Sequence, residues 1–317
     1  MLAAFAARTD AAHPLSALEI ADQPAPADRE HWTRVTVRAA SLNHHDLWSL
    51  RGVGLPDSAL PMILGTDAAG VTDDGREVVV HGVIGADGHG VGPEERRSLL
   101  SERYPGTLAE QVSIPTANLI DKPASLSFED AACLPTAWLT AYSLLFRAAN
   151  LKPGDAVLVQ GAGGGVASAA IALGVAAGLD VYATSRSADK RARAGAMGAT
   201  AVEPGARLPR RVDGVVETVG KATWRHSAAS LRPGGTIAVA GATTGDPGAE
   251  LTRVFFNELR VQGVTMGSRE DLRALLAFLD RHELRPTIAQ VLPLARADEG
   301  LALLESGEHF GKIVLVP

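Results

Sequence analysis

Gly161, Gly163, Gly164 and Gly165 crowd into one short stretch between the apolar run Ala156 to Gln160 and a helix of small residues. Glycines there let a backbone turn sharply and approach phosphate oxygens, while the N–H groups opening the next helix point at the same anion. The chemistry implied is the binding of a dinucleotide pyrophosphate. The spacing is not G-x-G-x-x-G, because Val166 stands where the third glycine belongs. It fits G-x-x-G-x-x-A, with Gly161, Gly164 and Ala167, whose small side chain permits close packing of helix on strand. A tight strand-to-helix turn without a ligand would use the same glycines.

The end of the next strand selects the cofactor. An NAD site wants an acid about 20 residues past the glycines, to accept from the ribose 2′-hydroxyl. Ser185 and Arg186 stand there instead, with Ser187 next and Lys190 one turn into the following helix. Asp180 lies at the other end of the strand. A hydroxyl, a guanidinium and an ammonium suit a 2′-phosphate, so the expected cofactor is NADPH (NADP+). Solvated residues at a helix start would leave the same pattern.

The elements that must position these residues read as an α/β chain. Strands at Ala156 to Gln160, Val181 to Thr184, Gly214 to Glu217, Thr236 to Ala240 and Arg260 to Val264 alternate with helices, predicting a doubly wound parallel sheet. Ser127 to Ala149 reads as one helix capped by Ser127, with Glu129 and Asp130 in its first turn. The helix Glu270 to Arg281 places Leu272, Leu275, Leu276 and Leu279 on one face and is expected to cover that sheet. The first third is β-rich, with alternation at Val35, Val37 and Ala39 and short strands at Glu77 to Val80 and Gln111 to Ile114. The segment from Gly82 to Gly106 reads as a long surface loop with one helical turn. After Arg285 the pattern is strand, helix, strand.

The chain has 317 residues, 46% hydrophobic and 21% charged, room for two domains of ordinary globular composition. A net charge of −6 argues against nucleic acid or an anionic membrane as partner. No stretch reaches the roughly 20 apolar residues that span a bilayer, and the N-terminus lacks the basic region of a signal peptide. Cys133 is the single cysteine, which fits a reducing cytoplasm.

Several motifs in order resemble one family. They are SLNHHDLW at Ser41 to Trp48, PMILGTDAAG at Pro61 to Gly70, GTLAEQVSIP at Gly106 to Pro115, LPTAWLTAY at Leu134 to Tyr142, GATTG at Gly241 to Gly245, VTMGS at Val264 to Ser268 and FGKIVL at Phe310 to Leu315. The chain resembles a zinc-free medium-chain dehydrogenase/reductase, in the quinone oxidoreductase-like branch, over nearly its whole length. The resemblance implies a GroES-like β-rich catalytic domain plus a Rossmann domain, divided as 1–122, 123–284 and a catalytic return at 285–317. It implies that Asn43, Thr140, Gly241, Ala242, Thr243, Met266, Gly267 and Ser268 surround the nicotinamide, with Val219 and Lys312 near the cofactor. It also implies a homodimer in which the edge strand Arg260 to Val264 pairs across a two-fold axis.

Metal-dependent relatives carry a cysteine where Asn43 stands and a histidine followed by an acid in the stretch held here by Thr66 and Asp67, and they carry a four-cysteine lobe absent here. No zinc is therefore expected. The expected reaction is NADPH-dependent hydride delivery to a small-molecule quinone or enone, either of which delocalises the incoming charge onto oxygen. Asn43 is the first candidate donor to that oxygen, with His44 and His45 as proton sources. Asn43 could equally cap the helix starting at His44, and Asp46 could orient a histidine or fill a cap position. Trp48, Trp138 and Tyr142 could wall a ring-shaped acceptor, and Tyr104 could supply a hydroxyl. Competing readings are alcohol or aldehyde chemistry on an improvised metal site from His44, His45, His81 or His89, and a non-catalytic NADPH-binding redox sensor.

Overall fold

The computed structural model describes residues 1–85 and 98–317, so residues 86–97 of the expected loop at Gly82 to Gly106, His89 among them, lie outside the described residues. The chain forms two compact units, Met1–Thr136 with Ser268–Pro317, and Ala137–Gly267.

In the second unit, apolar β-branched runs build an all-parallel sheet. Its order is Thr200–Val202, Asp180–Thr184, Ala156–Val159, Val212–Glu217, Leu231–Val239, Arg260–Gly263. The first strand of the unit in sequence, Ala156–Val159, is wholly buried and lies between Asp180–Thr184 and Val212–Glu217, as both faces of a doubly wound sheet require. That order is the Rossmann arrangement, whose ligands bind beyond the carboxyl ends of the strands where the winding reverses. The connection from Thr200–Val202 to Val212–Glu217 is unusual. Residues 203–211 cross back past two strands without a helix, where crossovers usually need a dozen or more residues and a helix.

In the first unit the main sheet runs Leu119–Asp121, Glu77–Val80, Asp67–Thr72, Trp32–Ser41, Lys312–Val316, Ile288–Pro293, with Gln111–Pro115 also on Trp32–Ser41. Alternating valines of Trp32–Ser41 enter a core shared with Val78, Val80, Ile114, Leu301 and Ile313. The last strand of the chain pairs antiparallel with Trp32–Ser41, Val314 opposite Ser41. That pairing carries Lys312 up to Asn43.

Two helical expectations change. The helix read at Ser127 to Ala149 keeps its Ser127 cap, whose Oγ accepts from the Asp130 N–H at 3.0 Å. It then divides into an α-turn at Phe128–Ala132, a π-turn at Leu134–Trp138, an α-turn at Leu139–Tyr142 and a second π-turn at Ser143–Ala148. Pro135 is the physical reason for the first break, since it offers no N–H to the carbonyl four residues back. The helix Arg269–Arg281 groups with the first unit rather than with the parallel sheet. Arg269 donates to the Asn118 side chain at 3.1 Å and Asp280 accepts from Ser125 at 2.8 Å. Amphipathic spacing shows that such a helix has a buried face, not which sheet receives it. The expected division at 122/123 and 284/285 puts this helix and the stretch up to Thr136 in the second unit, whereas they group with the first; Ala137 to Ala149 falls in the second unit either way.

Candidate functional site

The glycine turn of the second unit has the shape of a phosphate cradle. Gly161 has φ +75° and Gly163 φ +125°, backbone that other residues rarely adopt. A Cβ on Gly163 would stand 2.7 Å from Lys190 Cδ and 3.1 Å from its Nζ, so the lysine lies across the turn with its ammonium beside it. Gly164 opens the helix Gly165–Ala176 and no side chain caps it, which leaves the N–H groups of the first turn, Val166 among them, for an anion.

A buried polar chain fixes the turn. The Gly161 N–H donates to Thr184 Oγ1 at 3.2 Å, and Thr184 Oγ1 donates to Gln160 Oε1 at 2.6 Å. The Gln160 amide bonds Ser227 Oγ at 3.0 Å and His226 Nδ1 at 3.1 Å. Ser227 donates to Glu217 at 2.6 Å, and Glu217 accepts the N–H groups of Val219 at 2.8 Å and Gly220 at 3.1 Å. Val219 in turn faces Gly161. None of Gln160, Thr184, Ser227 or Glu217 figures among the expected site residues. A glutamine and a glutamate closing the apolar strands AVLVQ and VVE were the signal that could have found them.

At the end of Asp180–Thr184, Ser185 is buried and Arg186 exposed. Ser187 caps the helix Ala188–Ala196 by accepting the Lys190 N–H at 3.3 Å. Arg191 pins the loop by donating to the carbonyls of Ser185 at 2.8 Å and Arg186 at 3.0 Å. Asp180 sits at the far end, paired with Arg210 at 3.5 Å. No acid closes the strand itself, where Ser185 and Arg186 stand, while the first turn of the following helix carries Asp189 as well as Lys190.

Elsewhere in this unit, Gly241 to Thr243 return beside the Thr218 to Gly220 turn, with Thr244 N–H on the Val219 carbonyl at 2.8 Å. Met266 is buried at φ +52°, a costly conformation for a side-chain-bearing residue. Gly267 packs so tightly on the segment carrying Thr140 that a Cβ would meet Ser143 Oγ at 2.6 Å. Tyr142 is half-buried, edge-on to Phe146 at 5.1 Å. Trp138 is only 1% exposed, so it is core and cannot wall an open pocket.

In the first unit the candidates converge on a buried ion pair. Lys312 Nζ donates to the Leu42 carbonyl at 2.7 Å and to Asn43 Oδ1 at 2.6 Å, and lies 3.6 Å from Asp67 Oδ2. Asp67 also accepts from Ser41 Oγ at 2.9 Å, Asn43 Nδ2 at 2.8 Å and Thr136 Oγ1 at 2.5 Å. The expected use of Asn43 as donor to an acceptor oxygen does not fit this geometry, because its donor end is held by Asp67 and its acceptor end by Lys312. Nor do these residues fit a zinc ion, since a dication placed between Asn43 and Asp67 would face the lysine ammonium inside 4 Å. Among the described residues no group of three or more His, Cys, Asp and Glu side chains could hold a metal.

Asn43 holds the N-cap position of the helix His44–Leu50, and Asp46, in its first turn, closes the capping box. The Asp46 carboxylate accepts the N–H of Asn43 at 2.8 Å and of Gly65 at 3.0 Å, and burial raises its pKa. Ser268 is likewise a cap, of the helix Arg269–Arg281, accepting the Asp271 N–H at 3.0 Å. His45 is tied to Glu102 at 3.1 Å and Ser101 at 3.3 Å. Trp48 lies under the Arg51 guanidinium at 5.2 Å, and Tyr104 stacks edge-on with Trp32 at 4.9 Å.

His44 keeps part of its surface open to solvent, yet the surrounding protein, and then the charges of His309, Lys312 and Arg51, push its pKa down from 6.5 to about 4. It is neutral near pH 7, so it can act there as an N–H donor but not as an imidazolium acid. Because the unfolded chain takes up this proton first, the stability of the folded protein falls as pH drops from 6.5 through about 4. Urea melts across that range should show a shallower fall for His44→Gln than for the parent, and identical slopes would contradict the depressed pKa.

Known proteins share this architecture. A family model described as zinc-binding dehydrogenase matches residues 188–315. A solved structure of an NAD-dependent alcohol dehydrogenase is 36% identical, with all of each chain covered and a TM-score of 0.89. The zinc-type alcohol dehydrogenase-like protein YogA of Leptosphaeria maculans is 27% identical over 96% of this chain and 94% of its own. The acryloyl-coenzyme A reductase of Sulfurisphaera tokodaii is 27% identical over 96% of this chain and 98% of its own. With the Rossmann strand order, the uncapped glycine turn and a full-length relative above 30% identity in agreement, the chain belongs to the medium-chain dehydrogenase/reductase superfamily.

Proposed function

We propose that this protein is an NADPH-dependent oxidoreductase that delivers hydride to the activated C=C bond of an α,β-unsaturated carbonyl, with quinones as the related acceptors of its branch. The observation that carries the cofactor choice is Lys190, whose ammonium lies beside Gly163 of the glycine turn, together with Ser185 and Arg186 at the strand end, where an NAD site would place an acid. Gly161, Gly163, Gly164, Gly165 and Val166 would hold the pyrophosphate. Val219, Gly241, Ala242, Thr243, Met266, Gly267 and Thr140 would border the nicotinamide, which supplies the hydride when bound.

Addition of hydride to the β-carbon sends an electron pair to the carbonyl oxygen, and a proton then completes the α-carbon. The chain's task is to stabilise that oxygen. His44, neutral and partly open, is the donor of choice in the first unit, and the Lys312, Asn43 and Asp67 cluster holds the loop that carries it. No resident zinc is part of this reading. The acryloyl-coenzyme A reductase relatives support it. A second reading, NAD-linked alcohol oxidation, is favoured by the 36% identical NAD-dependent alcohol dehydrogenase.

Cofactor consumption measured against enones, enoyl thioesters, quinones and aldehydes, with NADPH and NADH in separate arms and alcohols with either oxidised cofactor in a third, separates the two. The expected result is NADPH oxidation by enones. Turnover confined to alcohols with NAD+ would replace the first reading by the second.

A homodimer through the sheet edge belongs to the same proposal. All of Arg260–Gly263 is exposed, Val261 to 50%, and Leu251, Phe255 and Phe256 beside it are exposed to 68%, 61% and 76%. An unpaired strand next to exposed aromatics invites a second copy. Val261→Pro, which removes a ladder N–H, should halve the mass seen by light scattering, and an unchanged mass would exclude this edge. Among the described residues no helix is long and apolar enough to cross a membrane.

A further inference from the structure

The helix-less crossover of residues 203–211 leaves a hollow of about 470 Å³ between itself and the helix Trp224–Ser230, lined by Gly205–Arg211, His226, Ala229 and Ser230. Its wall is cationic. Arg207, Arg210 and Arg211 come from one short run, and the carboxylates nearby are already in ion pairs: Asp180 with Arg210 at 3.5 Å, Asp213 with Arg232 and Glu203 with Arg191 at 3.2 Å. Arg211 donates to the carbonyls of Ala229 and Leu231, contacts that orient the guanidinium without neutralising it. Arg207 is exposed, and among the described residues no carboxylate pairs with it or with Arg211. On a chain of net charge −6 this is a local surplus of positive charge around a concave, partly apolar floor that includes Leu208.

The hollow is wired to the glycine turn. His226 Nε2 bonds the Ala206 carbonyl at 2.9 Å, on the crossover itself, and its Nδ1 bonds the Gln160 amide at 3.1 Å. From Gln160 the chain continues through Thr184 to the Gly161 N–H. A ligand that moved the crossover would pull on His226 and so on the turn.

We propose that this hollow is a second anion site, for a phosphate-class polyanion held by Arg207 and Arg211, and that its occupancy is felt at the glycine turn through His226, Gln160 and Thr184. Arginine guanidinium groups suit phosphate because their donors match its oxygens in pairs. The coupling rests on the dinucleotide reading of the turn, whereas the anion site does not.

The test is calorimetric titration of inorganic pyrophosphate into the full chain, first saturated with NADPH so that the glycine turn is occupied. One binding event is expected, weakened at least tenfold in Arg207→Ala/Arg211→Ala and severalfold in Arg207→Ala, which touches no neighbour in a way that folding needs. Arg186→Ala, at the turn, should leave it unchanged. No heat in the parent, or equal binding in parent and both variants, overturns the site. With the site present, NADPH affinity measured with and without pyrophosphate should differ at least threefold in the parent and less than twofold in His226→Phe, and equal ratios overturn the coupling. Failure of the chain to bind NADPH at all would show in the saturation step, and the same titration without cofactor would still decide the anion site.

Discussion

Replacing both Arg186 and Lys190 by alanine should weaken NADPH about 100-fold while changing NADH less than threefold. The number follows from charge-assisted hydrogen bonds, worth about 1.5–3 kcal/mol each where water is partly excluded. The two residues do not contribute equally. Lys190 is half-buried and its side chain rests on Gly163, so most of the effect belongs to it. Arg186 is exposed and screened, and alone should account for no more than about tenfold. NADH carries the same pyrophosphate but no 2′-phosphate, so comparing the two cofactors isolates the disputed group. If both affinities fell together, the lysine would be serving the pyrophosphate and the NADPH assignment would fail. The measurement is quenching of cofactor fluorescence at fixed ionic strength, since binding of this kind depends on salt.

The difference between what was legible in the residues and what was not is a difference of range. Gly161 and Gly163 announce themselves because positive φ is a local demand that glycine meets. Ser127 and the alternating valines of Trp32–Ser41 are local in the same sense: each satisfies a backbone donor or a pleat within a few positions. Pro135 was equally local, and its effect on the helix from Ser127 could have been read from its missing N–H. Asn43 is different. Its role depends on Lys312 and Asp67, which reach it through an antiparallel strand pair joining the two ends of the chain, and residue type alone leaves donor, cap and positioning roles all open. The polar chain from Gly161 to Glu217 was legible only as two polar residues closing apolar strands, for a related reason. Gln160 and Glu217 look like strand ends until the topology sets them side by side.

The ion pair in the first unit gives the second large effect, on stability as well as turnover. Lys312 is 3% exposed and Asp67 fully buried, so neither charge has water to fall back on. Lys312→Met removes the ammonium and leaves a buried carboxylate, the Leu42 carbonyl and Asn43 Oδ1 without their cation. Breaking one partner of a buried pair costs about 3–5 kcal/mol. The three other donors to Asp67, from Ser41, Asn43 and Thr136, place the expected loss near the lower end, about 3 kcal/mol. Lys312→Met/Asp67→Asn removes both charges together and should recover at least half of it, because the amide keeps hydrogen-bonding capacity without a charge to solvate. Turnover separates positioning from folding. Asn43 loses the contact that orients its amide in both variants, so kcat should stay depressed in the double variant even as its urea midpoint recovers. A single variant as stable as the parent would mean that the pair is no anchor, and a double variant recovering stability and kcat together would mean that Lys312 does nothing for the reaction beyond holding the fold.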